Sequence, residues 1–373
     1  MAKLFVCGDI VNHTLGLDFI GENLSGVIKN ADYSVCNFEG PELKPNQATQ
    51  CPHQENGTAT YLKSVGFDLM LLANNHITEL GADGVQYSIN TIKAAGADCM
   101  GAGLSWEDAY KPLKKNIKEV KFGFINVCEA QVGQYLNPKQ DFGYAWMGYD
   151  GLFDDIKALA KEVDHVVVFV HAGLEHYPLP LPEIRDFYKR IINAGASAVI
   201  GGHPHSAQGW EYYKGKLIIY SLGNFYFPHK DGKRPEEDIS YSITIDFIKR
   251  GEIELTPIHH SLRQGVVELL NDITKQVDLN HLCNLLKDDY LKTANEMCLT
   301  AYTSLCSHLL AEATCGEYEG INPVRLLIER TRQIFQRKRY VINTQKRRDA
   351  LMLRLFENET YYWTIIRALK FKL

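Results

Sequence analysis

The chain has 373 residues, 45% of them hydrophobic and 23% charged, enough for one large domain plus an appendage and too apolar for a disordered protein. Its net charge of -5 is unevenly spread: residues 325–373 hold 13 of the 40 Lys/Arg and only 4 of the 45 Asp/Glu, so an acidic body precedes a basic tail. Nucleic acid is therefore not an expected partner of the body. Nine cysteines without a close Cys-x-x-Cys pair argue against a disulfide framework or a structural zinc site.

Taken in order, the chain begins Met1-Ala-Lys-Leu-Phe-Val-Cys-Gly-Asp9, a strand-like run that leaves no room for the three regions of a signal peptide. No uninterrupted apolar run reaches the ~18 residues of a membrane span. The expectation is a cytoplasmic protein. Short apolar runs predict strands at 4–8, 34–38, 67–73, 121–127, 165–170, 198–201 and 217–222, with amphipathic helices at 84–95, 152–163 and 182–194. That alternation predicts a layered α/β fold with helices covering sheet. Period-two alternation in 239–247, a Lys249-Arg-Gly turn and the run 252–258 predict a closing antiparallel hairpin. From Leu262 onward strand signals vanish, which divides the chain into a domain at 1–261 and a helical extension at 262–373 with helices at 324–335 and 350–356. The extension's clusters Arg337-Lys-Arg339 and Lys346-Arg-Arg348 would dock on an anionic partner or membrane surface, or lie against the acidic body itself.

The polar residues worth singling out fall at strand ends, where open α/β sheets place ligands. They are Gly8-Asp9, Asn37-Phe-Glu39-Gly-Pro41, Ala73-Asn74-Asn75-His76, His171-Ala-Gly-Leu-Glu175-His176 and Gly201-Gly-His203-Pro-His205. In the last, the glycines allow close backbone approach and Pro204 holds two imidazoles in a rigid turn. Carboxylates and neutral imidazoles together suit one or two divalent ions such as Mn, Zn or Fe. A metal pair would activate water for a displacement at phosphorus, with His76 free to protonate the leaving oxygen. The 44–60 loop, rich in Pro, Gln, Asn and Thr, is expected to hang solvated over this site; Cys51 and His53 within it are weaker metal candidates.

The order of these motifs, with Tyr220-Ser-Leu-Gly-Asn-Phe225 after them, resembles the CapA family of poly-γ-glutamate capsule biosynthesis proteins, whose domain is similar to calcineurin-like metallophosphoesterases. The resemblance spans roughly residues 3–260. It implies a two-sheet β sandwich flanked by helices. It also implies Asp9 and His205 on a first metal, Asn75, His171 and His203 on a second, Glu39 as the bridging carboxylate and His76 as the acid. His13, Asn74, Glu175, His176 and Asn224 are the further substrate-binding candidates. Phosphoesterases usually carry a histidine where this chain has Val11, so His13 is the candidate substitute, and Glu39 stands where they have aspartate. The implied function is a metal-dependent hydrolase of a small-molecule or polymer phosphoester linked to capsule biosynthesis. A γ-glutamyl amide hydrolase or transferase and a non-catalytic assembly protein with a degenerate metal site are the alternatives.

Overall fold

In the computed structural model, residues 1–14, 16, 18–137, 139–228, 237–248, 253–315 and 344–372 are described. They form two compact units, 1–290 and 291–373.

The first unit contains two large sheets. One orders its strands Val266–Leu269, Ile253–Arg263, Glu237–Phe247, Ala2–Ile10, Tyr33–Phe38, Leu69–Leu71 and Asp98–Met100, with Asn224–Tyr226 also pairing parallel to Ala2–Ile10. The other runs Trp210–Tyr213, Lys216–Ile219, Ala198–Gly202, His165–His171, Val120–Cys128 and Leu113–Ile117. Alternating side chains explain why the sheets stack. Leu4, Val6, Val35 and Leu71 of the first face Phe122, Phe124, Val167, Phe169 and Ile200 of the second in one buried cluster. Phe5, Cys7, Cys36 and Met70 point the opposite way, onto Leu24 and Ile28 of helix Glu22–Lys29, Leu62 of Thr58–Ser64 and Val85 and Ile92 of Gly81–Ala94. On the second sheet's outer side, helices Leu152–Leu159 and Pro182–Ala194 bury Ile156, Leu159, Ile184, Tyr188 and Ile191. The result is the helix-flanked two-sheet sandwich that the sequence resemblance implies.

Strands buried on both faces read as continuous apolar runs, and they lie where the sequence places them, within a residue or two of most expected bounds. The third strand is shorter than expected, Leu69–Leu71, because Leu72 onward already turns toward the site. The hairpin pairs antiparallel over its whole length, Glu237 opposite Arg263 to Phe247 opposite Ile253. Beyond residue 262 the structure has a further strand, Val266–Leu269, whose register with His260–Arg263 extends the sheet. Leu282 and Leu285 then pack against the inter-sheet core, so the compact unit runs on to Tyr290 where the sequence drew its boundary at 261.

The second unit contains helices Tyr290–Ala301, Ser307–Cys315, Thr344–Glu357 and Glu359–Lys372, the third of which includes the expected helix at 350–356. The expected helix at 324–335 and the Arg337-Lys-Arg339 cluster lie outside the described residues. Among those described, no helix is long and apolar enough to cross a membrane.

Candidate functional site

The site is assembled where parallel strands of both sheets end side by side. Asp9 lies opposite Asn37 on one neighbour and Asn224 on the other, while His171 lies opposite Gly202 in the second sheet. Close backbone approach makes this meeting point possible. A Cβ on Gly201 would sit 2.0 Å from the Tyr220 carbonyl oxygen, so only glycine lets the strand before His203 come this near. His203 and His205 both adopt positive φ, 94° and 54°. Such backbone costs about 1–3 kcal/mol per non-glycine residue and persists where surrounding structure enforces it.

Asp9, Glu39, Asn75, His171 and His203 are buried together. His171 Nε2 is the pivot, 3.0 Å from Asn75 Oδ1, 3.1 Å from His203 Nδ1 and 3.9 Å from Glu39 Oε1. One proton on that nitrogen serves only one of these acceptors, whereas a cation engages all the lone pairs. Glu39 Oε1 is also 3.9 Å from His205 Nε2 and 3.9 Å from His76 Nε2. Those separations are too long for hydrogen bonds and fall inside the ~4.2 Å that two ligands, each about 2.1 Å from one ion, can span. Both Glu39 carboxylate oxygens are buried with no hydrogen-bond partner. An orphaned buried carboxylate is costly unless a charge offsets it. Ligand atoms of Glu39, His203 and His205 lie within 4.8 Å of one another. The donors present therefore fit a divalent ion.

His205 Nδ1 is 2.9 Å from Asn224 Oδ1 and 3.4 Å from Asp9 Oδ2. Asp9 Oδ1 accepts from Asn37 Nδ2 at 2.7 Å, and Asp9 Oδ2 accepts from the His203 backbone N–H at 3.3 Å.

Electrostatics follow the packing. Burial, helped by the neighbouring charge of Asp9, raises the Glu39 pKa to about 7. Burial opposes charge on His205, but the Glu39 and Asp9 carboxylates outweigh it and raise that imidazole to about 10. Burial holds His171 and His203 well below the usual histidine range, so both are neutral and available as ligands.

His76 sits at the mouth, one-fifth exposed, with Nδ1 bonded to Glu79 Oε1 at 2.7 Å and Nε2 toward Glu39. That bond keeps the Glu79 carboxyl below its ordinary pKa. Asn74 points elsewhere: its Oδ1 accepts from the Gly40 N–H at 3.1 Å and its Nδ2 donates to the Phe38 carbonyl at 2.9 Å, so it braces the loop carrying Glu39. Glu175 is half-exposed, 3.8 Å from His203 Nε2, and His176 is exposed beside it. His13 turns Nε2 to the Pro228 carbonyl and packs against Phe227, whose ring also contacts His205. Phe227 thus contacts both His13 and His205.

The 44–60 loop is not solvated throughout. His53 and Gln54 are buried, and Gln54 Nε2 donates to the Ile10 and Glu39 carbonyls. His53 bonds the Cys51 carbonyl at 2.7 Å and approaches Glu55 at 3.5 Å.

Several residues of the site carry no assignment from sequence. Glu129 is buried at the end of Val120–Cys128, accepts from the Gly173 N–H at 3.0 Å and bonds Gln131, whose amide is 2.7 Å from His203 Nε2. Its signal was the same strand-end position that marked Asp9. Glu79 is legible as the partner three residues after His76. Asn37 lies within the quoted second motif, and Asp238, bonded to Asn224, lies in the hairpin.

Comparison with known proteins places these residues in a family. A family model described as bacterial capsule synthesis protein PGA_cap matches residues 3–229. The capsule biosynthesis protein CapA of Bacillus anthracis is 33% identical over 231 residues, 59% of this chain and 56% of that one. The PGA biosynthesis protein CapA of Bacillus subtilis (strain 168) is 27% identical over 254 residues, 66% and 67% of the two chains. This chain thus spans just over half the length of the first relative. A crystal structure of a hypothetical protein from Thermus thermophilus superposes with a TM-score of 0.47 at 16% identity, covering 70% of this chain and 99% of that one. Since the matched segment runs unbroken from the first strand past Asn224 and contains all the strand-end residues gathered at Glu39, the chain belongs to the bacterial capsule synthesis protein PGA_cap family.

Proposed function

We propose that this chain is a metal-dependent hydrolase that cleaves a phosphoester during biosynthesis of a capsular, poly-γ-glutamate-like polymer. The observation that carries the reading is Glu39: a buried carboxylate without a donor, with three imidazole Nε2 atoms each 3.9 Å from one of its oxygens. Asn75, His171 and His203 would hold one ion, Asp9 and His205 another, and Glu39 would bridge them. Neutral nitrogen and carboxylate oxygen donors in this mixture suit Mn, Zn or Fe. Bound there, such ions would supply Lewis acidity, which lowers the pKa of water and offsets the charge that develops in a displacement at phosphorus.

The chain's own groups supply the rest. His76 presents Nε2 at the mouth to give its proton to the departing oxygen, and Glu79 holds the ring by its Nδ1–H. The capsule role rests on the names of the two CapA relatives.

The test is metal analysis of purified protein, followed by assays in Mn(II) and Zn(II) with an aryl phosphate and with a γ-glutamyl anilide. Bound metal with phosphate turnover, abolished by His171→Ala, is the expected result. Anilide turnover without phosphate turnover would overturn the phosphoester assignment. Protein that takes up no metal would overturn the hydrolase reading altogether.

A further inference from the structure

On the reading above, Asp9 and His205 give one ion fewer donors than Asn75, His171 and His203 give the other, since Val11, a buried aliphatic, stands where phosphoesterases usually carry a histidine. What the fold supplies instead is a hydrogen-bonded chain behind His205. Asp238 Oδ2 accepts from Asn224 Nδ2 at 3.0 Å. A carboxylate only accepts, so the amide must turn its NH2 to Asp238 and its oxygen to His205. Asn224 Oδ1 then takes a hydrogen from His205 Nδ1 at 2.9 Å, so the proton His205 sheds on ligating an ion leaves from Nε2, the nitrogen that faces Glu39 Oε1.

Rigid neighbours support every link. The Asp9 N–H donates to the Gly223 carbonyl at 3.1 Å, the Val11 N–H to the Tyr226 carbonyl at 2.7 Å, and Ser240 Oγ to the Leu222 carbonyl at 2.5 Å. Asn224 is itself buried.

We infer that Asp238 and Asn224 are positioning residues that fix His205 as an Nε2 metal ligand, and that this chain sets how tightly the Asp9–His205 side holds its ion. The inference rests on the metal-dependent reading above. It gives Asn224 a role behind the ligand in place of a substrate contact. Partners that orient a ligating histidine typically change metal affinity 10–100-fold when removed.

The experiment titrates EDTA-stripped full-length protein with Mn(II) alone, by calorimetry and by the electron paramagnetic resonance of free Mn(II). Asn224→Leu and Asp238→Asn are compared with wild type, after unfolding curves show that each is folded. Each substitution is expected to weaken one Mn(II) binding event by about 10–100-fold and to leave any other event within twofold. Nitrogen-15 NMR of wild type loaded with diamagnetic Zn(II) should show His205 protonated at Nδ1 alone, and Asp238→Asn should mix the two tautomers, which a purely structural role would not do. A folded variant that keeps every Mn(II) event within twofold of wild type overturns the inference and leaves the metal-dependent reading standing. Wild type that takes up no Mn(II) overturns that reading and the inference with it.

Discussion

Replacing Glu39 with glutamine tests whether this carboxylate awaits a cation. The side chain keeps its shape and loses its charge. In the metal-free protein the pKa rises from 4.5 to about 7, so holding the group ionised in the folded state costs about 3 kcal/mol at roughly 1.4 kcal/mol per tenfold. The sign follows from the raised folded value: this contribution to stability is complete below pH 4.5 and lost as pH climbs through 7. At pH 8 metal-free wild type bears the whole cost and the variant bears none. The attraction of His205 is already contained in that value, so the net stabilisation is about 2–3 kcal/mol, or a melting temperature roughly 4–6 °C higher for a unit of this size. With Mn(II) at a hundredfold excess over its dissociation constant, wild type should gain about 2.7 kcal/mol and the variant almost nothing. Differential scanning calorimetry at pH 8, in EDTA and in Mn(II), reads both arms. A Glu39→Gln protein less stable than wild type in EDTA, with an undiminished response to Mn(II), would refute the reasoning.

Asn74→Ala should cost about 1–3 kcal/mol in urea denaturation, because the Gly40 N–H and Phe38 carbonyl lose their buried partner, while Mn(II) uptake persists; Asn75→Ala should instead abolish uptake at one side. His205 must shed a proton to ligate, and its raised pKa of about 10 means Mn(II) binding there tightens about tenfold per pH unit from 7 upward, with about one proton released in calorimetry run in two buffers. Should the phosphate assay succeed, His76→Ala is expected to lower kcat about 10²–10⁴-fold on an alkyl phosphate and far less on a p-nitrophenyl ester, whose leaving group needs no proton. Gly8→Ala should destabilise by about 3 kcal/mol, since its Cβ would meet the Gly223 carbonyl oxygen at 1.8 Å; an unchanged denaturation midpoint would contradict the close packing of those strands.

The sandwich was legible because its central strands are buried on both faces, and continuous apolar runs such as Val166–Val170 have few other places to go. Shorter elements were harder. Helix Glu22–Lys29 buries only Leu24 and Ile28 in its eight residues, too little to impose a period, and Val266–Leu269 is four residues long with Glu268 among them. It exists because His260–Arg263 offers an edge to pair with, which is tertiary information. The strand-end placement of the candidate residues was legible for the same reason as the core: a polar residue directly after a buried run has little alternative to standing there.

What composition at strand ends leaves open is the difference between a ligand and its support. Asn74 and Asn75 are adjacent and chemically identical, yet one bonds two backbone groups and the other faces His171. Only the direction of each side chain separates them, and that direction is set by the turn following Leu72, where the Asn74 N–H already bonds the Leu72 carbonyl at 2.9 Å. The same logic applies to Val11. Val11 offers no donor where phosphoesterases usually carry a histidine, but the strand beside it brings Asn224 to the back of His205, and Asp238 orients that amide. A site with fewer ligands can hold an ion if those remaining are pre-aimed, because less conformational freedom is lost when the ion binds.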